Sequence, residues 1–123
     1  MKYILLAVLF LAPFTTSAQV SSKEYIYDRL ARYSALYGVS EGMMTHIAFA
    51  ESSLNSRAVG DTHLIDPKGN PHISRGVVQI NEYWNPNITP EQAFDVDFSL
   101  DFLARKLKEK KCYLWSTCPL PKK

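Results

Sequence analysis

The sequence predicts a mainly helical domain of the α+β class, with a small β-hairpin or loop insertion in its middle. Three observations carry that expectation. Apolar residues recur at helical spacing, beginning with Ile26, Leu30, Tyr33 and Tyr37. The stretch Asp66-Pro67-Lys68-Gly69-Asn70-Pro71 concentrates the residue types that reverse a chain. Beyond it, Thr89-Pro90-Glu91-Gln92 reads as a helix start: a capping hydroxyl, a proline at the first helical position and an amide able to reach back.

At 123 residues there is room for one small core. Lys2, the apolar run Ile4 to Phe14 broken only by Pro13, and the small residues Thr16-Ser17-Ala18 read as a secretory leader over residues 1–18. The folded domain then covers residues 19–123, exported to the periplasm or the cell exterior, with no membrane insertion once the leader is gone. Removing Lys2 takes the formal charge from +2 to +1, too little to attract nucleic acid. In an oxidising compartment Cys112 and Cys118 are expected to form a disulfide that pins the C-terminal tail and Trp115. A loop so short stabilises by about 2 kcal/mol.

The first helix should run from Lys23 to Tyr37, stopped by Gly38. Ser40 suits the cap of a second, which carries Met43, Met44, Ile47, Ala48 and Ala50. Leu64-Ile65 and His72-Ile73 flank the turn-rich stretch as a small hairpin or long loop. Val77-Val78-Gln79-Ile80 fits a strand or a short helix, since so short an apolar run has no decisive period. Asp97 is expected to cap the last long helix, with Phe98, Phe102, Leu103 and Leu107 on its core face. The basic run Lys106, Lys108, Lys110 and Lys111 complements the negative end of that helix.

Glu51 is the candidate catalytic group. It ends an almost uncharged segment and lies on the side of Ile47 and Ala48, so its carboxyl should emerge at the edge of the apolar face. Partial burial and the helix C-terminus both disfavour the anion, raising the pKa towards the roughly 6–7 that a general acid needs. The plainer alternative is a carboxylate anchoring the following loop.

Ile47-Ala48-Phe49-Ala50-Glu51-Ser52, Ala58-Val59-Gly60-Asp61 and Ser74-Arg75-Gly76-Val77-Val78-Gln79-Ile80-Asn81 together resemble the soluble lytic transglycosylase family of the lysozyme-like superfamily. Ile88-Thr89-Pro90-Glu91-Gln92-Ala93-Phe94-Asp95 resembles the segment before that family's last core helix, so the likeness covers roughly residues 37–107. It implies a lysozyme-like fold with a cleft, and cleavage of the β-1,4 bond between N-acetylmuramic acid and N-acetylglucosamine in peptidoglycan. Glu51 would be the acid and later the base, with the muramyl 6-hydroxyl attacking to leave a 1,6-anhydro product. Ser74 and Gln79 would hold the sugar, the alternative being turn-capping, and Ser52 would shape the helix end.

Two departures stand out. The family's Ala-Tyr-Asn segment, whose Tyr points at the acid, is absent, and Ser99 stands where an Asn is usual. Tyr113 or Trp115 could replace the Tyr by stacking on a sugar, or could anchor the tail. Asp61 and Asp66 are the candidate second carboxylates if the enzyme is instead a muramidase. His46, His63 and His72 lack metal-ligand spacing, and neither metal nor cofactor is expected. The expected partner is peptidoglycan glycan, bound by a monomer. A non-catalytic peptidoglycan-binding protein is the alternative from another class.

Overall fold

A computed structural model describes residues 20–121; the leader expected over residues 1–18 lies outside them. Helix α1 spans Lys23–Tyr37 and α2 spans Glu41–Ser52. Three two-residue strands follow, β1 (Val59–Gly60), β2 (Ser74–Arg75) and β3 (Ile80–Asn81), forming one antiparallel sheet in that order. A short helix α3 (Pro90–Phe94) leads into α4 (Val96–Lys108), and a single 3₁₀ turn covers Cys112–Leu114. The molecule is therefore mainly helical with a small sheet. Among the described residues no helix is long and apolar enough to cross a membrane.

The helix signals act as their chemistry requires. Ser22 and Ser40 each accept a backbone N–H of the first turn, and Gly38 closes α1 with φ 66°. Thr89 and Gln92 complete a reciprocal capping box, with Pro90 in the first turn. Ile26 and Leu30 of α1, Met44 and Ile47 of α2, and Leu100 and Leu103 of α4 are fully buried against one another. Each such side chain contributes about 1.5–3 kcal/mol by leaving water.

Helix α4 corrects one expectation. Asp95, not Asp97, is its N-cap, accepting from the Phe98 N–H at 2.7 Å. Asp97 lies two residues on, within the first turn, and faces α1, where Tyr33 donates to it at 2.9 Å and Arg29 Nε lies 3.1 Å away. Val96, Ser99, Leu100, Phe102, Leu103 and Ala104 form the buried face, while Phe98 and Leu107 pack at its edge. The helix begins early because Asp95 also terminates α3, leaving no linker between the two.

The mid-chain is part hairpin, part turn. Ile65 and Pro71 make an isolated antiparallel bridge, and the reversal between them is held by Asp66, which accepts from the Lys68 and Asn70 N–H groups. Strands β2 and β3 flank Gly76-Val77-Val78-Gln79, so the first three residues of the apolar run Val77-Val78-Gln79-Ile80 lie in a buried turn and only Ile80 is strand, opening β3. Gly76 at φ 85° and Gln79 at φ 54° reverse the chain while Val77 and Val78 point inward. A β-carbon on Gly76 would stand 1.8 Å from the Ala93 carbonyl oxygen, so only glycine fits.

Candidate active site

Glu51 occupies the last turn of α2, one residue before the helix end, and is half-buried. Ile47 and Ala48, one turn earlier, are fully buried, so the carboxyl rises from the margin of the apolar face. Helix α2 stops there because Ser53 and Leu54 both adopt positive φ, at 53° and 59°. Ser52 ties the helix end to the buried turn, its hydroxyl lying 2.7 Å from the Val77 carbonyl and 3.1 Å from that of Ala48.

Burial pushes the Glu51 carboxyl above its ordinary value, a hydrogen bond from Thr117 works against that shift, and the charge of Asp61 adds to it. The Thr117 hydroxyl is 2.9 Å from Glu51 Oε1. Thr117 belongs to the loop closed by the Cys112–Cys118 disulfide. That loop is seated by Trp115, which is 5% exposed and donates its indole N–H to the Val78 carbonyl at 2.8 Å. Where the family resemblance leads one to look for a tyrosine hydroxyl facing the acid, this chain presents a threonine. The signal was faint but present: Ser116 and Thr117 are the aliphatic hydroxyls of a short covalently closed loop.

Ser74 is buried, donating to Asp61 Oδ2 at 2.6 Å and accepting from the Asn81 side-chain amide at 3.0 Å. Asp61 itself is exposed, with φ 57°. The Gln79 amide nitrogen donates to the carbonyls of Gly76 at 2.9 Å and Ala58 at 3.2 Å. Its amide oxygen lies over Gly60, where an added β-carbon would stand 2.4 Å away. The polar groups of Ser74 and the amide nitrogen of Gln79 are therefore engaged in building the wall of the site.

A cavity of about 330 Å³ opens beside this wall, lined by Gln79, Asn81, Trp84, Asn85, Tyr113 and Trp115 together with Ile80, Phe102, Leu114, Lys106 and Lys111. It brings Gln79, Tyr113 and Trp115 together; Glu51, Ser52 and Ser74 are not in its lining. Tyr113 and Trp84 are 67% and 75% exposed at its rim, two flat apolar faces free to meet a ligand. The two lysines are not free charges, since both lie within 4 Å of Glu109 Oε2 (3.8 Å from Lys106, 3.1 Å from Lys111). Trp84, Asn81 and Asn85 were not singled out as site residues from the sequence, although the aromatic pair Tyr83-Trp84 comes one residue after β3. Among the described residues no three His, Cys, Asp or Glu side chains gather as a metal ion would require.

Comparisons with family models, characterised proteins and solved structures return no match for this chain.

Proposed function

We propose that this protein is a peptidoglycan lytic transglycosylase of lysozyme-like fold, exported to the cell wall, with Glu51 as its acid and base. One observation carries the reading most: a half-buried carboxyl, raised in pKa by its burial, at the end of a helix and held by the Thr117 hydroxyl. The motif resemblance around Glu51, Ser74 and Gln79 supplies the substrate. In the first half-reaction Glu51 gives its proton to the glycosidic oxygen as the bond to C1 of the muramyl residue breaks. The carboxylate then takes the proton of the 6-hydroxyl as that oxygen bonds to C1, closing the 1,6-anhydro ring and restoring the acid. One carboxyl serves both steps, so no second one is demanded, unlike in most glycosidases. Tyr113 and Trp84 offer stacking faces for the sugars, with Trp115 forming the floor.

A second reading, hydrolysis by water, is favoured by Asp61. Its charge reaches Glu51, and its carboxylate is oriented by the Ser74 hydroxyl. Digestion of purified peptidoglycan followed by mass analysis separates the readings. Anhydro-muropeptides are the expected product, and they lack one water relative to the reducing-end products of a muramidase. An intact polymer that nonetheless pulls the protein down would replace both by a binding role.

A further inference from the structure

We propose that Thr117 is the positioning residue for the Glu51 proton, its hydroxyl holding Oε1 so that Oε2 alone delivers and recovers the proton. This rests on the reading of Glu51 as the acid. A hydroxyl hydrogen directed at Oε1, 2.9 Å away, makes that oxygen the poorer site for a proton, so the acidic hydrogen resides on Oε2. The same bond remains when the carboxylate forms, and it then stabilises the anion. One contact therefore serves both halves of the cycle without rearranging.

What makes Thr117 suited to this is the rigidity of its support. It lies between two fixed points, the buried Trp115 and the disulfide-bonded Cys118. The Trp115 N–H donates to the Cys112 carbonyl at 3.0 Å and the Cys118 N–H to the Trp115 carbonyl at 3.1 Å. The indole bond to Val78 docks this loop on the buried turn, and Ser52 docks the end of α2 on the adjoining Val77. Donor and acceptor are thus referenced to the same two-residue stretch. Asp61, at the end of β1, is the charged side chain acting on Glu51 from the sheet.

The test is Thr117→Val, which keeps the shape and removes the hydroxyl, with Thr117→Ser as the conservative rescue. The Glu51 carboxyl is titrated by carbon NMR in the wild type and both variants. Losing the bond should move the Glu51 titration to higher pH in Thr117→Val and return it towards wild type in Thr117→Ser. On peptidoglycan, turnover in Thr117→Val should fall about 10- to 100-fold, as expected for a misplaced reacting group. The limb of its pH profile that falls as Glu51 deprotonates should shift upward with the titration, because the protonated acid persists to higher pH. An unmoved titration in a folded Thr117→Val overturns the proposal. Should Thr117→Val not fold, Thr117→Ser decides: a wild-type titration and turnover support the hydroxyl, and loss of both despite its presence overturns it. If the wild type cleaves no peptidoglycan, the enzymatic reading fails, while the titration still decides whether Thr117 governs the carboxyl.

Discussion

The α1–α4 face and the sheet side of Glu51 are held together by different kinds of bond. Between α1 and α4 the contact is apolar at its centre, where Ile26 and Leu30 meet Leu100 and Leu103. Its rim is a row of tyrosine hydroxyls donating to aspartates: Tyr25 and Tyr33 to Asp97, and Tyr37 to Asp101, which also receives Arg105. On the other side the strands are two residues each and supply few ladder bonds. Side chains bond the backbone instead: Gln79 to Gly76 and Ala58, Asn81 to His72, Trp115 to Val78, Ser52 to Val77. Apolar contact is non-directional and tolerates conservative exchange, whereas a side chain that caps one particular carbonyl has few substitutes. The acid, at the end of α2 where Ser52 bonds Val77, thus stands at the border of the exacting half.

The sharpest way to test that division is at the junction itself. Glu51→Gln should reduce peptidoglycan cleavage by about 10²- to 10⁴-fold, the range for loss of a general acid. It should not lower thermal stability at neutral pH. Glu51 has a raised pKa in the fold, so whatever it contributes is present below the ordinary carboxyl value and lost as pH rises through the folded one. Glutamine is neutral throughout, and its carbonyl can still accept from Thr117. A melting temperature at neutral pH equal to or above wild type is the expected result. A variant that loses its fold along with its activity would make Glu51 a structural carboxyl and erase the distinction. On the exacting side, Gly76→Ala should cost more than about 3 kcal/mol in denaturant titration. The added carbon meets the Ala93 backbone at 1.8 Å and the residue must hold φ 85°. A loss below about 1 kcal/mol would mean the turn can move, and that the sheet side is no stricter than the helices.

The same division explains what the sequence disclosed. The helices were legible because period and caps act locally: Ser22 through Gly38 bounds α1, and Thr89 with Gln92 starts α3. Asp95 and Asp97 could not be told apart, since both are good caps and the choice was made by the tyrosines and arginine of α1. Val77 and Val78 read as regular structure because a buried turn is as apolar as a strand; only the conformations of Gly76 and Gln79 distinguish the two. Glu51 could be located from its own helix. The Thr117 contact spans 66 positions and depends on where the disulfide loop docks, which no local pattern encodes.

The smallest expected effect lies on the tolerant side. Tyr33→Phe removes the hydroxyl that donates to Asp97 but keeps the ring packed, and Asp97 retains Tyr25 and Arg29. A loss of about 1 kcal/mol is expected at neutral pH. Alkaline conditions sharpen the measurement. Burial, then the hydrogen bond and charge of Asp97, push the Tyr33 hydroxyl up to about 12, so the fold favours its neutral form. That preference is fully present below the ordinary tyrosine value of about 10 and is lost as pH rises through the folded value. Wild type should therefore lose stability across this window, and Tyr33→Phe, with nothing to ionise there, should lose less. Urea denaturation at neutral pH and at roughly pH 11 should find the gap between the two proteins narrowing. A gap that stays constant would show that the fold does not hold the Tyr33 hydroxyl above its ordinary value. A neutral-pH loss as large as that of Gly76→Ala would show that the α1–α4 rim is no more forgiving than the turn beside Glu51.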